Sequence, residues 1–137
     1  MNSRSLDELT PETRDKAKAL IAGCLLEGID IIVTSTYRSN ESQAELYAQG
    51  RTTSGARVTN AGPGKSYHNY RVAFDVVPIV NGKAVWNDDD LWERVGAVGE
   101  LADLEWGGSW TRFVDKPHFQ NTGGLTIAQF MAQGVQA

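Results

Sequence analysis

Histidine is scarce in this chain, with two in 137 residues, and cysteine is scarcer, with one. A single cysteine excludes an internal disulfide, so the fold does not depend on an oxidising compartment. Its position in the apolar run of residues 19–26 marks Cys24 as a packed core thiol. Neither sign of charge dominates: 13 basic residues against 17 acidic ones leave a net charge of -4. Lys and Arg form no cluster, which excludes the electrostatic footprint of a nucleic-acid binder. It also excludes a general attraction to anionic membranes or envelope polymers, so any such target must be recognised locally. No apolar run is long enough to span a bilayer, and residues 1–8 carry no signal-type apolar segment. The expectation is a protein folded in a bacterial cytoplasm, without stable membrane insertion. A target outside the cell must then be reached by another route.

The rest of the composition is that of a globular domain, 41% apolar and 22% charged. The length suits one domain over residues 1–137 with one moderate core. Thr10-Pro11 opens a helix, with Thr as N-cap and Pro at the first helical position. Ala17, Leu20, Ile21, Cys24 and Leu25 repeat at helical spacing up to a stop at Gly28. Residues 29–36 read as a buried strand. Ser39 caps a second helix, through Ala44, Leu46 and Tyr47, that ends near Gly50. Residues 51–66 form a long loop rich in Gly, Pro and small polar residues. Residues 72–80 read as a strand, Asn81-Gly82 as a hairpin turn, and residues 83–86 as the returning strand. Asn87 or Asp88 caps a third helix with Leu91, Trp92, Val95, Val98 and Leu101 on its buried side. Short strands are expected at 104–106 and 118–120. Thr126 and Gln129 have capping-box spacing for a last helix. The order of elements implies an α+β fold, with helices packed on a small, largely antiparallel sheet.

Both histidines lie near carboxylates: His68 seven residues before Asp75, and His118 three residues after Asp115. Two imidazoles and a carboxylate can make a three-ligand zinc site with its fourth position open to water, and a second carboxylate can supply a base. In a straight strand seven residues span about 23 Å, whereas zinc ligands lie about 2 Å from the metal. The chain must therefore turn between His68 and Asp75, at Asn69-Tyr70-Arg71. Strand parity then places Ala73 and Asp75 on one face and Val72, Phe74 and Val76 on the other. Pro117 argues against a helix at 115–118, so a bend is expected to bring Asp115 and His118 to the same cavity. By itself, His-x6-Asp is a loose pattern, since an isolated histidine is more often a surface or core residue than a ligand.

The surrounding residues are more specific. Ser66-x-His68-x6-Asp75 with Ala73 is followed by Trp106-Gly107-Gly108-x-Trp110 and then by Asp115-x-x-His118-Phe119. Ser35-Thr36-Tyr37-Arg38-Ser39 precedes them, with Gln43. These four segments, in this order, resemble the zinc D-alanyl-D-alanine carboxypeptidase (VanY-like) family. That family includes phage L-alanyl-D-glutamate endopeptidases and belongs to a wider group with the hedgehog signalling domain. The resemblance implies a hedgehog/DD-peptidase-like fold, Zn2+ held by His68, Asp75 and His118, and Asp115 as catalytic base. It implies that Arg38 binds a substrate carboxylate or stabilises the oxyanion, a task suited to its planar charged fork. Ser66 either hydrogen-bonds substrate or shapes the approach to His68. Trp106 and Trp110 are expected to be structural.

Two positions depart from the family pattern. Arg71 stands where Gly is common, and Ser109 where Asp is common. Arg71 either carries a strained positive φ or, with a different turn, points into solvent or the cleft. The implied activity is hydrolysis of peptidoglycan stem peptides by a monomer with no separate wall-binding domain. The form closest in type is a phage L-alanyl-D-glutamate endopeptidase, made in the host cytoplasm and released to the wall by a holin. The alternatives are a D-alanyl-D-alanine carboxypeptidase or dipeptidase, and, from another class, a non-catalytic zinc-containing binding module.

Overall fold

A computed structural model describes residues 1–134. Thr10 caps the first helix, α1 (Pro11–Leu26), by accepting from the Thr13 amide. β1 (Asp30–Ser35) follows, then α2 (Asn40–Ala48), capped by the Ser39 side chain. A 3-10 turn at Tyr67–Tyr70 leads into β2 (Ala73–Val80), which pairs through a tight turn with β3 (Lys83–Ala84). Asp88 caps α3 (Asp89–Leu101). β4 (Glu105–Trp106), β5 (His118–Gln120) and α4 (Ile127–Ala132) complete the chain. The strands form one antiparallel sheet in the order β1-β2-β5-β4, with β3 paired to β2. Among the described residues no helix is long and apolar enough to cross a membrane.

The β2–β5 register decides what each sheet face does. Phe74 lies opposite Phe119, and Asp75 lies opposite His118. Phe74, Val76 and Phe119 are fully buried with Leu20 and Cys24 of α1 and Trp92 and Val95 of α3. Ala73, Asp75, His118 and Gln120 fall on the alternate positions, as parity predicts, and turn to the other face. A smaller cluster forms where Phe130 of α4 stacks on Tyr70 and meets Tyr67 edge-on.

Several expected core positions differ. Leu25 and Leu101 are exposed. In α3 the stripe facing the sheet runs through Trp92, Val95, Gly96 and Gly99, because large rings come to meet it. A methyl group at Gly96 would sit 2.3 Å from Trp106, and one at Gly99 2.3 Å from Phe119. The aromatic strands thus fill space that the helix leaves, and Leu101 falls outside the contact. In α2 the buried residue is Gln43 rather than an apolar one. Its amide donates to the Ala61 carbonyl at 2.7 Å and accepts from Arg38 at 3.0 Å, so burial leaves no polar atom unpaired. β3 stops at Ala84, short of the expected return to Trp86.

Cys24 is buried as expected, and burial, with the nearby Glu27 charge, pushes its thiol up to about 11. Thiolate is the reactive form. Cys24 is therefore expected to resist a maleimide in the native protein and to react once denaturant unfolds it. Rapid labelling without denaturant, read by mass spectrometry, would contradict the packing of α1.

Candidate metal centre and active-site cleft

Ser66 starts the 3-10 turn with a capping box: its hydroxyl accepts from the His68 amide, and Asn69 returns a bond to the Ser66 amide. Arg38 docks on this turn through two bonds. Its amide donates to the His68 carbonyl at 3.1 Å, and the Asn69 side chain donates to the Arg38 carbonyl at 2.8 Å. Arg71 ends the turn in the left-handed region, at φ 65° and ψ 24°, and redirects the chain into β2. The expected turn is therefore present, and the strained alternative for Arg71 holds. Its side chain does not line the cleft and stays partly exposed to solvent. It pairs with Glu8 and lies 3.8 Å over the Tyr37 ring, contacts that offset part of the backbone cost.

The turn and the strand register bring His68, Asp75 and His118 together. His68 Nε2 and His118 Nδ1 each lie 3.3 Å from Asp75 Oδ1. One candidate donor atom from each residue lies within 4.8 Å of the other two. Donors about 2.0–2.2 Å from a tetrahedral zinc are separated by about 3.3–3.6 Å, so the spacing fits such an ion.

The tautomers point to the same chemistry. His68 Nδ1 lies 2.8 Å from the Thr36 carbonyl, which only accepts, so Nδ1 carries the proton. His118 Nε2 lies 2.7 Å from Gln120 Oε1, and the Gln120 amide nitrogen donates to Glu105 at 3.0 Å. A carboxylate cannot donate, which fixes the Gln120 amide and makes His118 Nε2 the donor. In the neutral imidazoles, the lone pairs of His68 Nε2 and His118 Nδ1 thus face Asp75 Oδ1. That oxygen is buried without a hydrogen-bond partner. Three electron-pair donors converging with no proton among them call for a cation. The set fits a divalent metal. Burial alone would lower His118, but Asp75 outweighs it and raises its pKa. Burial alone would raise Asp75, but the two imidazoles hold it well below the usual carboxylate range.

Asp115 reaches the site through a close backbone approach. Its amide donates to the Gly107 carbonyl at 3.0 Å, and its carbonyl accepts from the His118 amide at 3.2 Å. A methyl group at Gly107 would lie 2.4 Å from the Asp115 carbonyl oxygen. The surrounding protein raises the Asp115 carboxyl above its ordinary pKa, with Asp75 adding and the imidazoles and Arg38 opposing. Arg38 donates to Gln43 and, at 3.3 Å, to Ser35, leaving Nε buried and unpaired. Burial lowers its pKa, and the nearby Asp75 and Asp115 charges counter this. Ser66, Tyr67, Trp110, Asp115 and His118 line a cleft of about 880 Å³. His68, Asp75 and His118 thus converge, Asp115 lines the cleft beside His118, the Arg38 charge acts on Asp75 and Asp115 without lining that cleft, and Ser66 caps the turn that carries His68.

The family model described as D-alanyl-D-alanine carboxypeptidase matches residues 59–121. A Bacillus subtilis protein, the peptidoglycan L-alanyl-D-glutamate endopeptidase CwlK, is 38% identical over 122 residues, covering 82% of this chain and 73% of that protein. The chain belongs to the D-alanyl-D-alanine carboxypeptidase family. It is a metallopeptidase. Another family relative, the L-alanyl-D-glutamate peptidase of Listeria phage A118, is 34% identical over 124 residues. The match covers 86% of this chain but only 41% of the phage protein. Among solved structures, the Serratia marcescens L-Ala D-Glu endopeptidase ChiX has a TM-score of 0.62 at 24% identity, over 88% of this chain and 87% of that one. The DD-peptidase-like α+β fold expected from the family motifs is the fold observed.

Sequence reasoning missed the partners of the candidate ligands: the Thr36 carbonyl, Gln120 and Glu105. Gln120 had a usable signal, because it lies two residues after His118 in a strand and so shares its face. Trp110, expected to be structural, also lines the cleft, its ring centre 5.4 Å from that of His118. Ser109, where family members often carry Asp, donates to the Trp106 carbonyl at 2.9 Å and closes the Gly-Gly turn.

Proposed function

We propose that this chain is a zinc endopeptidase that cuts peptidoglycan stem peptides between L-alanine and D-glutamate. The observation that carries the reading is the convergence of His68, Asp75 and His118 beside Asp115 in an open cleft. Nitrogen and carboxylate donors at this spacing suit zinc. When bound, the ion supplies Lewis acidity to the scissile carbonyl and acidity to water. Asp115 takes the proton from the attacking water and delivers it to the leaving amine. Arg38 places a permanent charge near Asp75 and Asp115, where it neutralises a substrate carboxylate or the developing oxyanion. Ser66 holds the turn that aims His68 and offers its hydroxyl to substrate at the cleft wall.

The choice of bond is supported by the Bacillus and phage relatives, both named for cleavage at L-alanyl-D-glutamate. The phage relative further supports an endolysin role, with host lysis after holin-type release. Residues 1–137 act on this reading as one catalytic domain, and as a monomer. Digestion of purified peptidoglycan with and without chelator, with the new ends identified by mass spectrometry, tests the reading. New L-alanine C-termini that disappear with chelator are expected. Release of D-alanine would instead establish a carboxypeptidase, and no chelator-sensitive product a binding module.

A further inference from the structure

From His118 a chain of polar contacts runs along the cleft wall, away from the candidate metal position. His118 Nε2 donates to Gln120 at 2.7 Å, and the Gln120 amide donates to Glu105 Oε2 at 3.0 Å. The Trp110 indole donates to the same Glu105 oxygen at 2.9 Å. Glu105 and Gln120 are register partners across β4 and β5, so the sheet holds the pair side by side. His118 and Gln120 are buried. An amide alone does not choose a tautomer for His118. Turned one way it accepts from Nε2, and turned the other way it donates. Only a partner that cannot donate settles the orientation, and Glu105 is that partner.

We infer that Glu105 is a positioning residue for the metal centre. Through Gln120 it holds His118 with its proton on Nε2, leaving the Nδ1 lone pair directed at the metal position. Contacts of this kind behind a histidine ligand set both ring orientation and basicity. The inference rests on His118 being a metal ligand, as the proposed function has it.

The test compares the wild type with Glu105→Ala and with Glu105→Ala/Gln120→Glu. In the double variant a carboxylate meets His118 directly, so Glu105 is no longer needed to orient an amide. Zinc affinity is measured by competition with a chromophoric chelator. The His118 tautomer is read from imidazole 15N shifts of the metal-free protein, at a pH where the ring is neutral. Glu105→Ala is expected to bind zinc about 10–100-fold more weakly and to lose the pure Nε2–H signal. The double variant is expected to regain both. Unchanged affinity and tautomer in Glu105→Ala would overturn the inference. So would a loss that Gln120→Glu does not restore, because Glu105 would then serve only to hold Trp110. Should Glu105→Ala fail to fold, Glu105→Gln keeps an acceptor oxygen without the charge. It is expected to show a smaller loss in the same direction, and no loss would count against the relay. These readouts do not depend on hydrolysis. A wild type that binds zinc but leaves peptidoglycan intact refutes the endopeptidase and not the relay.

Discussion

Asp115→Asn is expected to lower peptidoglycan hydrolysis by about 10²–10⁴-fold, the range for loss of a positioned general base, while the protein still takes up one zinc ion. The amide keeps the size of the carboxylate, so the close contact of Gly107 with the Asp115 backbone is preserved. None of the three ligand atoms belongs to Asp115. The loss is expected in kcat more than in KM, because the proton moves only in the transition state. Zinc content by mass spectrometry and turnover on the same preparation separate the two roles. Hydrolysis by Asp115→Asn at the wild-type rate would remove Asp115 from the mechanism. Loss of zinc along with activity would make it a ligand instead.

His118→Ala is expected to lose both zinc and activity. It removes one of three donors and leaves Asp75 Oδ1 buried with one imidazole neighbour fewer. In the wild type, zinc at about 1,000 times its Kd is expected to stabilise the fold by about 4 kcal/mol, a shift that the variant should lack in thermal unfolding. The pH dependence follows from the same pair. His118 is raised above its unfolded pKa, so its contribution to metal-free stability is full below pH ~6.5 and is lost as pH rises through the folded value. Asp75 is depressed, so its contribution is present above pH ~3.9 and is lost as pH falls toward its folded value. The metal-free protein should therefore be most stable between these limits. Zinc needs His118 deprotonated, so its affinity should fall as pH drops through the raised His118 pKa. Zinc-dependent stabilisation that grows toward acid pH would contradict this assignment.

Much of the candidate site's geometry was legible in the residues because each proposed ligand is tied to a local rule. The His68 to Asp75 spacing demanded a turn, and the turn lies at Tyr67–Tyr70 with Arg71 at its end. Parity put Asp75 on one face and Phe74 on the other, and the β2–β5 register bears this out. The caps at Thr10, Ser39, Asp88 and Thr126 are local bonds between near neighbours, and all four form. What escaped depends on contacts distant in sequence. Leu101 follows the helical period of α3, yet the sheet meets that helix at Gly96 and Gly99, where aromatic rings from β4 and β5 fill the gap. Gln43 looks like a surface residue until Ala61 and Arg38 are placed beside it. Glu105 sits 13 residues from His118 in sequence and acts through a strand partner, so no spacing rule points to it.

The most direct measurement is a zinc titration of the chelator-stripped protein, followed by release of L-alanine C-termini from purified peptidoglycan. Activity is predicted to be absent at the start, to rise in proportion to added zinc, and to level off at one equivalent. Full activity in the stripped protein, or zinc uptake that restores no cleavage, would contradict a metal centre built from His68, Asp75 and His118 as the seat of catalysis.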